Sequence, residues 1–447
     1  MRGVRSFLVL VVVLAGLGAY IYFVESKKPE EAAARIGPKL FTVTADSISE
    51  VTVALAHGDT TTLKKVNGTW QITAPVQAPA DQGTVTSLVD GLATVDELRT
   101  VAENPRDLAQ FGLAAPRVVV RFAGAGGKPS GQLLIGDKTT TLGDVYAKVA
   151  NTRKVLLVPG TFDTTFNKST FDLRQKTVLV FDRDKVDQIE IQAGTSVTEV
   201  RRSGGEWTLV KPFALPADYG SVEGLVGRLQ TAQMKGVVDE QGTDLKRFGL
   251  DKPQATVTVG LGSSRATLLF GNKLDAGLCY AMDATRPLVF TVEASLVDEV
   301  KKPAGDLRRK DLFAFRAFDA TSVEITRGAD IRAFEKTKRA GQDAAEVWRQ
   351  TKPVAKDVDN AAFDTFLTKL ANQRAQSFVD PGAKTKTGLD APVMVVVVQS
   401  GEAKKQERVT FGRNGTDVYA SVDGQPGAAK IDTTEFEDSL KALDGLK

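Results

Sequence analysis

The side chains that could do acid–base or nucleophilic chemistry are thinly spread. The 447 residues include one histidine, His57, and one cysteine, Cys279. A Ser-His-Asp triad could draw only on His57, and no Gly-x-Ser-x-Gly elbow accompanies it. His57 sits in Ala56-His57-Gly58-Asp59, which reads as a hairpin tip. A zinc site would need further imidazole or thiolate ligands. Cys279 precedes Tyr280 on an expected strand and has no imidazole to activate it, so it reads as a buried, inert thiol. No P-loop is present. The stretch Gly124 to Gly131 is glycine-rich, but it lies between two expected strands with no helix after it, so it is a hairpin loop. Acidic residues abound, and spacing alone leaves a carboxylate pair for glycoside hydrolysis open. Trp70, Trp207 and Trp348 could form a glycan platform, although one Trp at a fixed strand position in each copy of a repeat suits a core. Asn67-Gly-Thr, Asn167-Lys-Ser and Asn414-Gly-Thr match a glycosylation pattern, which by itself carries little weight. The expectation is that no residue is catalytic and that none binds a cofactor or a metal.

Hydrophobic residues make up 42% of the chain and charged residues 25%, the composition of globular protein rather than of a disordered tail. The length allows two to four domains with their own cores. The net charge of +3 and the lack of a basic stripe interleaved with aromatics argue against a nucleic-acid partner. A single cysteine is compatible with export but does not demonstrate it.

Residues 7–24, FLVLVVVLAGLGAYIYFV, form an uncharged apolar run. As a helix it spans roughly 27 Å, near the hydrocarbon thickness of a bilayer. Tyr20 and Tyr22 suit the interface at its outer end. The expectation is an uncleaved signal anchor in a bacterial inner membrane. A cleaved signal peptide is the alternative, but the run is longer than a usual h-region and no small-x-small site follows at once. No cysteine follows either, which excludes a lipoprotein anchor. Arg2 and Arg5 balance Lys27 and Lys28 in the positive-inside count; the six-residue tail favours an N-terminus in the cytoplasm and the bulk outside it. Residues 25–39 are charged, alanine-rich and contain Pro29 and Pro38, and read as a stalk.

The rest of the chain says one thing three times. Trp70, Trp207 and Trp348 are each followed five residues later by a proline (Pro75, Pro212, Pro353) and eleven later by an aspartate (Asp81, Asp218, Asp359). A glycine follows at 42, 42 and 40 residues, in Phe111-Gly112-Leu113, Phe248-Gly249-Leu250 and Thr387-Gly388-Leu389. The spacing predicts modules at 40–180, 181–315 and 316–447. Each opens with alternating β-branched positions, such as Val51 and Val53, Ile189 and Ile191, or Val323 and Ile325. A second strand, a glycine turn and the Trp strand follow. Asp81, Asp218 and Asp359 are placed as helix N-caps. Behind them Val85, Leu88, Val89 and Leu92 form a stripe at i, i+3, i+4, i+7, repeated at Val222, Leu225, Val226, Leu229 and at Phe363, Phe366, Leu367, Leu370. Gly112 and Gly249 suit a left-handed helix end, with proline soon after. Further strands end at Gly136-Asp137, Gly271-Asn272 and Gly412, and a Tyr strand (Tyr146, Tyr280, Tyr419) comes next. A short apolar strand and a helix are expected to close the first two modules. Asp172-Leu173-Arg174 and Asp306-Leu307-Arg308 each begin 26 residues past their tyrosine, and the third module lacks the motif, which ties it to the joint between modules. The expected fold is α+β: three tandem repeats of a mixed but mainly antiparallel sheet with packed helices, behind one N-terminal transmembrane helix.

With these motifs in hand, the chain resembles the bacterial domain of unknown function 4340 family. The shared features are the anchor, Trp-x-x-x-x-Pro, Ala80-Asp81, Phe-Gly-Leu-x-x-Pro, Gly136-Asp137, Tyr146 and Asp172 to Arg174, with their second copies. The third copy departs at Val358, at Thr387 and in lacking Asp-Leu-Arg. Members are often encoded beside permeases and auxiliary proteins resembling gliding-motility ABC transporters. The resemblance therefore implies a membrane-anchored, extracytoplasmic accessory or scaffold protein, without catalysis, with an ABC permease or auxiliary subunit as partner. An envelope polysaccharide-binding module or weak hydrolase is the alternative and predicts exposed aromatics in a groove, whereas the scaffold predicts buried Trp residues. An assembly factor facing the cytoplasm is a third reading.

Overall fold

The computed structural model describes residues 37–140, 143–274, 277–338 and 346–446. The expected anchor at 7–24 and the stalk up to residue 36 lie outside the described residues. Among the described residues no helix is long and apolar enough to cross a membrane. The chain divides into two compact units, Met1–Lys176 and Thr177–Lys447. The first holds one nine-stranded sheet and the second holds two.

Counted one to nine within a module, the strands of all three sheets run in the order 4-3-2-1-6-7-8-9-5. Each pairing is antiparallel, so the mixed component expected from the sequence is absent among the described residues. The first strand lies in the middle. In the first module Val51 pairs with Leu63 on one side and Phe122 on the other. The fourth and fifth strands lie at opposite edges, so the helix between them must carry the chain across one face of the sheet. That helix is Gln82–Thr94 in the first module, Tyr219–Thr231 in the second and Asn360–Ala371 in the third. Its length, about 20 Å at 1.5 Å per residue, suits the crossing.

Alternation and helical periodicity then meet in one core per sheet. Val51, Val53, Leu63, Val120 and Leu133 from the sheet pack with Val85, Leu88, Val89 and Leu92 from the helix. In the third module Phe363, Phe366, Leu367 and Leu370 pack with Val396, Val398 and Val409. All four stripe positions are buried in every copy.

The three aspartates cap as expected. Asp81 accepts from Thr84 N at 2.8 Å, Asp218 from Ser221 N at 2.8 Å, and Asp359 from Ala361 N and Ala362 N at 2.9 and 3.2 Å. The same helix start grips the Trp strand. Gln82 binds both backbone groups of Trp70 at 2.9 Å, and Asn360 Oδ1 accepts from Trp348 N. The proline five residues after each Trp follows a cis peptide bond.

One expectation fails by omission. The third module also closes with a strand, Ala428–Ile431, and a helix, Thr433–Asp444. The strand is alanine-rich, so it lacks the β-branched signal of Val155–Val158. The helix did carry a signal: Asp432 caps it through Thr434 N and Glu435 N, and Phe436 and Leu443 are buried seven residues apart. The two short edge strands, Ala78–Pro79 and Arg99–Ala102 in the first module, were also missed because neither is long enough to alternate.

The hydrogen bond from Thr84 N holds the Asp81 carboxyl below the usual Asp range. Asp81→Ala is expected to cost about 1 kcal/mol at neutral pH. Because the folded-state pKa is the lower one, that contribution is complete above the unfolded-state value and is lost as pH falls through the folded one. Urea denaturation of both proteins across the acid range checks it: their midpoints should converge at low pH. Trp348 has its indole N–H buried with no acceptor among the described residues. In the second module Trp207 Nε1 donates to Glu223 Oε1 at 3.0 Å, sixteen residues on; the third module has Asp364 at that spacing. Asp364→Glu should supply the acceptor and raise stability by up to about 1 kcal/mol, read from the same denaturation curves.

Candidate interface at the module joint

The residues weighed for chemistry fall into structural roles. His57 lies in the turn between the strands Glu50–Leu55 and Thr60–Val66 and is exposed. Gly124 to Gly131 links Val118–Ala123 to Ser130–Lys138 as a hairpin connection. Cys279 is fully buried, with Gly271 O 3.3 Å from its sulfur, and burial pushes the thiol up to about 11. That is the wrong direction for a nucleophile. Trp70, Trp207 and Trp348 are 5%, 3% and 3% exposed, so they offer no platform to a glycan. The buried carboxylates among the described residues are each held by cations. Asp163 meets Arg117 and Lys138, both at 2.8 Å; Glu199 meets Arg201 at 2.6 Å and Lys211 at 2.8 Å; Asp283 meets Arg286 at 2.9 Å. Burial raises the Asp163 carboxyl, but its two cations more than offset this and hold it low. The Lys211 ammonium likewise holds Glu199 low. A general acid needs the opposite shift. Among the described residues, no three or more His, Cys, Asp and Glu side chains gather as a metal site.

Two repeated motifs turn out to be halves of one contact. Phe248-Gly249-Leu250 folds onto Gly271-Asn272: Asn272 N donates to Phe248 O at 2.8 Å. Gly249 has φ +69°, and a Cβ there would lie 2.3 Å from the Asn272 side chain. A Cβ on Gly271 would lie 2.1 Å from Phe248 O, so both partners must be glycine. Phe248 then meets Tyr280 edge-on at 5.0 Å, as Phe111 meets Tyr146 at 5.1 Å. The Tyr strand, the Gly-Asp strand end and Phe-Gly-Leu are therefore a single packing unit. Sequence reading explained each alone because their contact spans more than twenty residues.

The Asp-Leu-Arg motif reaches furthest. Its backbone pairs with the cap aspartate of its own module and with the residue two before it: Asp218 N donates to Leu307 O at 2.8 Å and Arg309 N to Pro216 O at 2.9 Å. The chain then runs into the third module, where Ala375 N donates to Lys310 O at 2.7 Å and Leu312 N to Gln373 O at 3.1 Å. Arg308 bridges the two. It is 8% exposed; its guanidinium donates to Gln425 Oε1 at 2.7 Å and to Pro426 O at 3.3 Å, and lies 4.0 Å from the centre of the Phe378 ring. Nε has no partner among the described residues, and burial pushes the guanidinium pKa down, with Asp380 opposing. The assignment of Asp-Leu-Arg to a joint thus has its geometry within the second unit. Its receptor residues, Phe378, Gln425 and Pro426, carried no signal in the sequence, because no repeat position marks them.

A family model described as a domain of unknown function (DUF4340) matches residues 70–208 and again 207–392. No curated protein matches the chain. Among solved structures, a DNA polymerase sliding clamp from Pseudomonas aeruginosa with ligand is 8% identical over 88% of this chain and 93% of its own, with a TM-score of 0.14. A second sliding clamp from the same organism, bound to griselimycin, is 10% identical over 91% and 96%, also with a TM-score of 0.14. At these scores the likeness carries no argument.

Arg308→Ala removes charged hydrogen bonds and a cation–π contact from a buried joint. It is expected to lower the stability of the second unit by about 2 kcal/mol. Arg308→Lys should recover only part of this, because an ammonium cannot present the guanidinium's planar fork. Denaturation followed by Trp fluorescence measures both; an unchanged midpoint in Arg308→Ala would show that the joint does not depend on this side chain.

Proposed function

Because the chain belongs to the DUF4340 family, matched over most of its length, we propose that it is a non-enzymatic, membrane-anchored scaffold acting outside the cytoplasm as an accessory subunit of an ABC-type transport or gliding-like surface complex. The observation that carries this reading is where the repeated residues go. Trp, cap aspartate, Phe-Gly-Leu, Gly-Asp and Tyr are all engaged within their own modules, and Arg308 is engaged in joining two of them. Residues that recur for chemistry would converge on a cleft; these converge on cores and a joint. The apolar run at 7–24 supplies the tether. The joined modules supply extended surface on which a permease or auxiliary subunit could assemble, the partner class that the family's gene neighbours suggest. The burial of the three Trp residues removes the aromatic platform on which the polysaccharide-binding alternative relied.

Crosslinking of the intact protein in its membrane, followed by mass spectrometry of what co-purifies, tests this. A form truncated after Ile36, lacking the apolar run, is the control. A transport permease or auxiliary subunit should be recovered with the anchored form and depleted with the control. Recovery of cell-wall glycan with no transport component would sink the proposal.

A further inference from the structure

The first two modules close one edge of their sheets in the same way. Pro79 O accepts from Gln175 N at 2.9 Å and Asp81 N donates to Leu173 O at 2.8 Å; Pro216 O accepts from Arg309 N and Asp218 N donates to Leu307 O at the same two distances. The register is antiparallel, with Ala80 bridged to Arg174 and Ala217 to Arg308. In the third module the corresponding residues, nine to eleven after Trp348, are Asp357, Val358 and Asp359. Among the described residues, no group completes either backbone bond there. Leu446 stands 27 residues past Tyr419, as Leu173 stands past Tyr146, but it is wound at the end of the closing helix, with its N–H on Leu443 O at 3.3 Å. The edge is correspondingly more open. Asp357 and Asp359 are both exposed, and the Asp357 side chain is 94% exposed.

An edge with an unpaired N–H and C=O in strand register is a template for another chain. We infer that Lys356–Asp359 binds an extended segment of a partner protein, added antiparallel as a tenth strand-like element, of the form Leu-basic-basic-acidic. The leucine faces Asp359, as Leu173 and Leu307 face Asp81 and Asp218. The second basic residue faces Asp357, which stands where the sister modules have proline and so adds a carboxylate that they lack. In the second module that facing position is held by Arg309. Lys356, one residue earlier, faces the last position and selects an acid there. Charges on an edge also discourage indiscriminate pairing, which gives the slot specificity rather than stickiness. The inference needs neither the tether nor a transport complex, so its failure leaves the scaffold proposal standing, and the reverse.

The test uses the full chain in detergent micelles and a fluorescein-labelled peptide with the sequence of residues 304–312, carrying Glu in place of Lys310. Anisotropy should rise saturably. Asp357→Lys should weaken binding at least tenfold, and a peptide carrying Glu also in place of Arg309 should restore it to that variant. Asp357 is exposed, so an unchanged melting curve will establish that the variant is folded. No saturable binding, binding indifferent to Asp357→Lys, or a loss that the charge-swapped peptide does not restore would each overturn the inference.

Discussion

One residue in each of the first two modules is asked to do two things at once. The carboxylate of Asp218 caps the helix that crosses the sheet, and its own N–H is taken by Leu307 O at the far end of the module. Just before it, Ala217 N is bound to Trp207 O at 3.1 Å. Trp strand, crossing helix and module terminus therefore meet within two residues of backbone. The crossing helix carries one whole side of the core, so its starting point fixes which face of the sheet is covered. The terminus sets where the next module begins.

Much of this was legible before any coordinates. Helix starts, the four-residue apolar stripes, the left-handed glycines and the hairpin turns are local, and local chemistry leaves a local trace: Asp at a cap, Gly at a positive φ, alternation on a strand. The joint role of Asp-Leu-Arg was legible for a different reason, its absence from the third copy. What stayed hidden depends on contacts between distant residues. Phe248 and Gly271 need each other's geometry, but each has a sufficient local explanation. The closing strand Ala428–Ile431 hid because alanine favours helix and is depleted in strands, so its local propensity points away from the sheet. The receptor of Arg308 hid because Phe378, on the strand Ala375–Val379, and the Gln425-Pro426 turn are far apart in sequence and only the fold brings them together.

The copies also show which requirements are strict. Close approach of the Gly-Leu turn to the following strand end persists in the third module, where a Cβ on Gly388 would lie 2.1 Å from Arg413 O, although Thr387 has replaced phenylalanine. The glycine is a steric demand; the aromatic is one way among several to cover a tyrosine. The crossing helix behaves likewise. Gln82 and Asn360 bind the Trp strand through side chains, whereas the second module has Tyr219 at that position and holds its Trp through Glu223 instead. The contact between strand and helix is kept while the chemistry that makes it changes.

Arg308 shows why an arginine suits a joint of this kind. No carboxylate lies within ion-pair distance of it among the described residues, so its charge is met by carbonyl dipoles and the face of Phe378. A guanidinium tolerates such surroundings because its charge is delocalised, weakly hydrated and able to stack, and because it stays protonated even when burial lowers its pKa. An ammonium in the same place would face a larger desolvation cost with one point of contact. A buried carboxylate partner would have made the joint stronger when formed but far more costly to form, since both charges would have to leave water together. Dipoles and a ring, already fixed by the third module's own packing, need no such transfer. The second and third modules are therefore held within one compact unit by the Arg308 side chain together with the backbone bonds at Lys310 and Leu312, with no buried ion pair at Arg308 among the described residues.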